Sequence, residues 1–98
     1  MRFDEGDLVV WDGAEPCHVG EVVVRYGDAS ETGPLIEYCV RFADPEDPTR
    51  ERDFLLDSDL RPASPEDVQT YRRTAAQWRA RLGGCGWWDD VPEPQGQV

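Results

Sequence analysis

The one histidine of the chain stands beside a cysteine, Cys17-His18, and a thiol next to an imidazole is a pairing that nucleophilic catalysis employs. Neighbouring residues in extended backbone point to opposite sides, so adjacency in sequence sets these two groups apart. No second His exists to act as base, and the pair reads as incidental loop residues. Zinc needs four ligands, commonly from close-spaced pairs, and Cys17, Cys39 and Cys85 do not supply them. An odd number of scattered cysteines also argues against a disulfide framework and for reduced thiols. Paired carboxylates can serve as general acid and base. With 21 Asp and Glu in 98 residues, however, chance proximity is expected and carries no signal. The sequence therefore predicts no catalytic residue, no metal and no cofactor, and the chain is expected not to be an enzyme.

The charge balance says more. Ten Arg and no Lys face those 21 acids, for a net charge of −11 at pH 7. Residues 1–63 hold six Arg against sixteen acids, and residues 64–82 hold four Arg against two. Residues 83–98 hold three acids and no Arg. A nucleic-acid binder needs cations to displace the counterions around phosphates, and this chain has the opposite sign almost throughout. Direct nucleic-acid binding is not expected, an anionic membrane surface would repel the chain, and a basic protein partner would be attracted. The opening residues Met1 to Asp7 contain no apolar signal segment, and the longest apolar run is four residues, too short to span a bilayer. The expected compartment is the cytoplasm.

Length allows one domain, and the elements that position its side chains are legible in outline. Leu8-Val9-Val10-Trp11 is a short strand closed by Asp12-Gly13. Val19–Tyr26 reads as a second strand, and Val22-Val23-Val24 suggests burial on both sides over part of it. Leu35–Phe42 alternates most cleanly: Ile36, Tyr38, Val40 and Phe42 share one face, Glu37, Cys39 and Arg41 the other. Two Pro and three acids in 44–48 break the sheet. A weaker strand follows over Arg50–Leu56, and Leu60-Arg61-Pro62 is short enough to be a closing fifth.

Ser64-Pro65-Glu66-Asp67 is a helix start, with Ser at the N-cap, Pro at N1 and acids at the positive end of the dipole. Val68, Tyr71, Ala75, Trp78 and Leu82 then recur at spacings of three and four, one apolar stripe that must pack on the sheet or on a second copy in a homodimer. Gly83-Gly84 ends the helix. The fold class predicted is α+β, mainly β: residues 1–63 form an antiparallel barrel, 64–84 a C-terminal helix, and 85–98 a Trp-containing acidic tail, partly disordered. Within that tail Trp87-Trp88 must pack somewhere, because two adjacent exposed indoles are costly in water. Consecutive side chains diverge, so one is expected buried and the other available to a partner, where Trp often anchors interfaces. Asp89-Asp90 marks the expected return to solvent.

Residues 3–63 resemble an SH3-like small barrel of the Tudor and KOW kind. The residues that carry the resemblance are Phe3-x-x-Gly6-Asp7-x-Val9, Gly20-x-Val22, Tyr38-x-Val40-Arg41-Phe42 and Asp59-Leu60-Arg61-Pro62-Ala63. Tyr38 to Ala63 is also similar to the SH3-like part of nitrile hydratase β subunits, from which nothing catalytic carries over. The Tudor resemblance implies an aromatic cage that holds a cation by cation–π attraction. Trp11, Tyr26, Tyr38 and Phe42 are the rings available, with Asp12 or Asp28 as the acid. Tyr38 and Phe42 share the face that must build the core, so the binding candidates are Trp11 and Tyr26, joined by Trp87 and Trp88. The expected function is a non-catalytic protein-interaction or accessory module with an acidic surface. The alternatives are an acidic inhibitor that mimics DNA and blocks a nucleic-acid-binding enzyme, or a small non-catalytic subunit of an enzyme complex.

Overall fold

The structure, a computed structural model, describes residues 3–11, 19–26 and 36–95. Asp12, Cys17, His18 and Asp28 lie outside the described residues. Five antiparallel strands form one sheet: β1 (Leu8–Trp11), β2 (Val19–Tyr26), β3 (Glu37–Phe42), β4 (Glu51–Leu56) and β5 (Leu60–Pro62). Their order across the sheet is β4-β3-β2-β1-β5. A 3-10 turn, Asp57–Asp59, joins β4 to β5, and Asp59 Oδ2 closes it by accepting from the Leu56 N–H at 2.9 Å. The turn carries the chain back to β1, where Val10 sits opposite Arg61.

Two bulges bend this sheet, one on each side of Cys39. Val22 pairs with Val40 and Val24 with Cys39, so β2 carries Val23 as an extra residue. On the other side β4 takes three steps from Arg52 to Leu55 while β3 takes two from Val40 to Tyr38. Bulges increase twist and bend the strand that holds them. The valine triplet in β2 is thus explained differently from its sequence pattern: Val22 is buried, Val23 and Val24 are only half-buried, and the middle valine is the bulge residue.

The concave face collects Phe3, Val9, Val22, Ile36, Tyr38, Val40, Phe42, Leu55 and Leu60. Tyr38 brings a hydroxyl into this core, and the Phe3 N–H donates to it at 3.1 Å, so burial leaves it partnered. Gly20, between β1 and β3, is held by close approach: a Cβ there would lie 2.5 Å from the Arg41 carbonyl oxygen and 2.8 Å from Val40 Cγ1.

The convex face is covered at one end by α1 (Pro65–Leu82). Its start is a reciprocal cap: Ser64 Oγ accepts from the Asp67 N–H at 3.2 Å, and Asp67 Oδ2 accepts from the Ser64 N–H at 3.0 Å. Tyr71 packs with Val10, Val19 and Ala43 of the sheet, while Ala75 and Trp78 pack with Trp88. The helix stripe is therefore spent largely inside the chain, and Leu82, 55% exposed, is the part left for a second copy.

After Gly86 the chain makes another 3-10 turn, Trp87–Asp90, against α1. Asp89 and Asp90 are exposed, yet the chain does not depart there. Arg79 Nη2 donates to the Trp88 and Val91 carbonyls at 2.6 and 2.7 Å, Arg79 Nη1 pairs with Glu93 at 2.7 Å, and the Gln95 N–H reaches Gln69 Oε1 at 2.6 Å. A guanidinium with parallel donors straps the segment to the helix as far as Gln95.

Candidate interaction surface

The helix and the 87–95 segment cover the Val10–Val19–Ala43 end of the convex face, and at the far end, where β2, β3 and β4 run side by side, no other described element lies over the sheet. The register puts Tyr26 beside Glu37, and Glu37 beside Leu56. Tyr26 stacks on Phe54 with ring centroids 5.4 Å apart and planes at 29°. Its hydroxyl donates to Asp53 Oδ1 at 2.9 Å. Phe54 is 64% exposed, and its backbone φ is +63°. That left-handed conformation is unusual for a bulky residue and costs about 1–2 kcal/mol. The β4 bulge creates it, and so turns the ring out of the strand's normal alternation and onto Tyr26.

Beneath the aromatic pair lies Cys39, buried between the two bulges, with Sγ donating to Glu51 Oε1 at 3.8 Å. Burial pushes its thiol up to about 12, helped by the hydrogen bond and charge of Asp53 and by Glu51. The thiol is thus held protonated at neutral pH and offers no nucleophile. The hydrogen bond to Asp53, then burial, also raises the Tyr26 phenol above its ordinary value.

A second feature lies on the same face under the helix. Leu8, Glu21 and Arg41 are register neighbours on β1, β2 and β3 and form the floor of a cleft of about 460 Å³. Arg41 Nη2 pairs with Glu21 Oε1 at 2.9 Å, and the Tyr71 hydroxyl donates to the same oxygen at 3.1 Å. The Arg41 guanidinium lies 5.0 Å from the Trp87 ring centroid, and Trp87 Nε1 donates to the Pro48 carbonyl at 2.8 Å. Burial first, and the Glu21 charge after it, lift the Tyr71 phenol to about 12 against the opposing pull of Arg41. The ion pair, the cation–π contact and the phenol lock the sheet, the helix and the tail to one another.

The sequence candidates separate on this frame. Tyr38 and Phe42 are core residues. Trp11 packs on Phe42, centroids 6.0 Å apart, with the Arg52 guanidinium 5.0 Å from its own ring. Tyr26 stands at the opposite end of β2, on the order of 20 Å of strand away at 3.3 Å per residue. Trp11 and Tyr26 therefore belong to two different clusters. Trp88 is 7% exposed, packs with Trp78 and donates to the Gly83 carbonyl at 2.7 Å, whereas Trp87 is half-buried over Tyr71 and Arg41. Sequence reading missed Asp53 and Phe54. Their signal was present as a loss of alternation, since Glu51-Arg52-Asp53-Phe54-Leu55-Leu56 cannot keep one face apolar without an extra residue.

Among the described residues no group of three or more His, Cys, Asp or Glu is placed to hold a metal ion, and no helix is long and apolar enough to cross a membrane. Comparison with protein-family models, with curated proteins and with solved structures returns no match to this chain.

Proposed function

We propose that the chain is an SH3-like barrel serving as a non-catalytic protein-docking module, and that it docks through the end of its convex face that carries Tyr26 and Phe54. Five short antiparallel strands, two bulges that curl them and a single short turn into the closing strand support the barrel reading. The observation that carries the docking reading is Phe54. A large apolar ring stands 64% exposed on a backbone conformation that costs stability, so the fold gains little from having it there. Edge-strand charges and a bulge also deter a second copy from adding a strand. That accounts for Glu51 and Asp53 but not for an exposed phenylalanine.

A random peptide display library selected on the wild-type protein and counter-selected on Phe54→Gly tests this reading. Peptides that bind the wild type and are lost on the variant are expected. A library in which every selected peptide binds both proteins equally would place docking elsewhere and refute the reading.

A further inference from the structure

The chemistry around Tyr26 and Phe54 goes further than a docking face, and we infer that its occupant is a cationic peptide segment, rich in arginine or lysine, laid across the two rings. This rests on the docking reading above and names the partner that such a face fits. The described ion pairs of the molecule occupy Asp4, Glu21, Asp44, Asp67 and Glu93. Glu37, which the register sets beside Tyr26, Glu51, whose Oε1 accepts from Cys39 Sγ, and Asp53, which accepts from the Tyr26 hydroxyl, have no cationic partner among the described residues. Of the nearby arginines, Arg25 is bound to Asp4 and Arg52 is turned onto Trp11. The face thus combines exposed π-surface with carboxylates that no described cation neutralises.

Each half of that combination selects the same ligand. A guanidinium or ammonium gains from the face of a Tyr or Phe ring, and the gain grows as the contact loses water. Tyr26 hydrogen-bonds Asp53 through Asp53 Oδ1, which leaves Oδ2 to accept from an arriving donor. An anionic or nucleic-acid occupant would meet three carboxylates without a described cationic partner and a net charge of −11. A purely apolar segment would cover Phe54 but desolvate the acids around it without return. A basic segment satisfies the ring and the carboxylates together.

The experiment is an NMR titration of the full chain at 0.15 M salt with two synthetic peptides, one alternating Gly and Arg and one alternating Gly and Glu. With the Arg peptide, shifts are expected at Val24, Tyr26, Cys39 and 51–56, and the Glu peptide should give none. Phe54→Gly should weaken Arg-peptide binding about tenfold and Asp53→Asn at least about threefold, as for lost cation–π and charge-assisted contacts. Glu46→Gln removes the same charge from an exposed residue in the β3–β4 turn and should leave affinity within about twofold, because screening confines charge effects to roughly a Debye length. Equal losses for Glu46→Gln and Asp53→Asn, or shifts spread over all the acids, would show attraction to net charge alone and overturn the inference. Library peptides that depend on Phe54 but lack basic residues would also overturn it, while leaving the docking reading intact. Absence of any Phe54-dependent peptide would remove the docking reading itself.

Discussion

The indole N–H of Trp78 donates to the backbone carbonyl of Asp44 at 2.8 Å, which ties the C-terminal half of α1 to the turn that follows β3. The same ring is buried, packs against Trp88 and has the Arg81 guanidinium 4.8 Å from its centroid. Trp78→Ala removes the packing and leaves a buried carbonyl without its donor. Urea denaturation should show a loss of about 3–5 kcal/mol. An unchanged midpoint would mean that the helix contributes little to holding the sheet.

Gly86 lies flat against the ring of Trp88. A Cβ on Gly86 would stand 2.3 Å from Trp88 Cζ2 and Cη2, closer than any real contact. Gly86→Ala should therefore push Trp88 off Ala75 and Trp78, at a cost of about 1–3 kcal/mol. Red-shifted tryptophan emission should accompany the loss. Truncation after Gly84 removes both indoles and the Arg79 strap, and should cost at least about 3 kcal/mol. Wild-type stability after truncation would show the segment to be dispensable to the fold.

Alkaline pH should unfold the protein through Cys39 and Tyr71. Both groups are held protonated in the fold, with ordinary values of 9.0 and 10.0 raised to about 12. Folded protein therefore keeps protons that the unfolded chain releases, and stability falls as pH rises from about 9 toward 12. Below that window their contribution is fully present. Denaturation midpoints across this range should decline less steeply in the double variant Cys39→Ala, Tyr71→Phe than in wild type. Equal slopes would show that other groups control the alkaline limb.

The acid limb should involve the helix cap. Hydrogen bonding from the Ser64 N–H, supplemented by Ser64 Oγ and Arg61, holds the Asp67 carboxyl below its ordinary value of 3.8. Its contribution is present above that value and is lost as pH falls through the lower folded one. Ser64→Ala should cost about 1 kcal/mol at neutral pH, read by urea denaturation. No change on that substitution would mean that the cap is not formed in solution.

Much of the fold was written in local patterns. The alternation of Ile36, Tyr38, Val40 and Phe42 fixes which face of β3 is core, and Ser64-Pro65-Glu66-Asp67 fixes where α1 begins. What could not be read locally depends on pairing between strands. Val23 looks like one more valine in a strand, and only its register against Val40 and Cys39 makes it a bulge. The position of Phe54 follows from the corresponding bulge in β4, so the stack on Tyr26, twenty-eight residues away in sequence, has no local signature. Trp11 and Tyr26 share a residue class, and strand length separates them. Composition marks Asp89-Asp90 as a return to solvent, and both residues are exposed. Arg79, reaching two carbonyls and Glu93, keeps the tail on the helix as far as Gln95.

The proposal that Phe54 is kept for docking and not for folding stands or falls on Phe54→Gly, with stability and binding measured on the same sample. Glycine relieves about 1–2 kcal/mol of left-handed strain. Against that stand about 0.5–1 kcal/mol of extra chain entropy and about 0.5–1.5 kcal/mol for the lost stack on Tyr26. These contributions nearly cancel, so the urea midpoint should correspond to wild-type stability within about 1 kcal/mol, while binding of the Gly-Arg peptide falls about tenfold. A variant that loses about 3 kcal/mol or more, the cost typical of truncating a core aromatic, would contradict the claim, and so would one that keeps its full affinity.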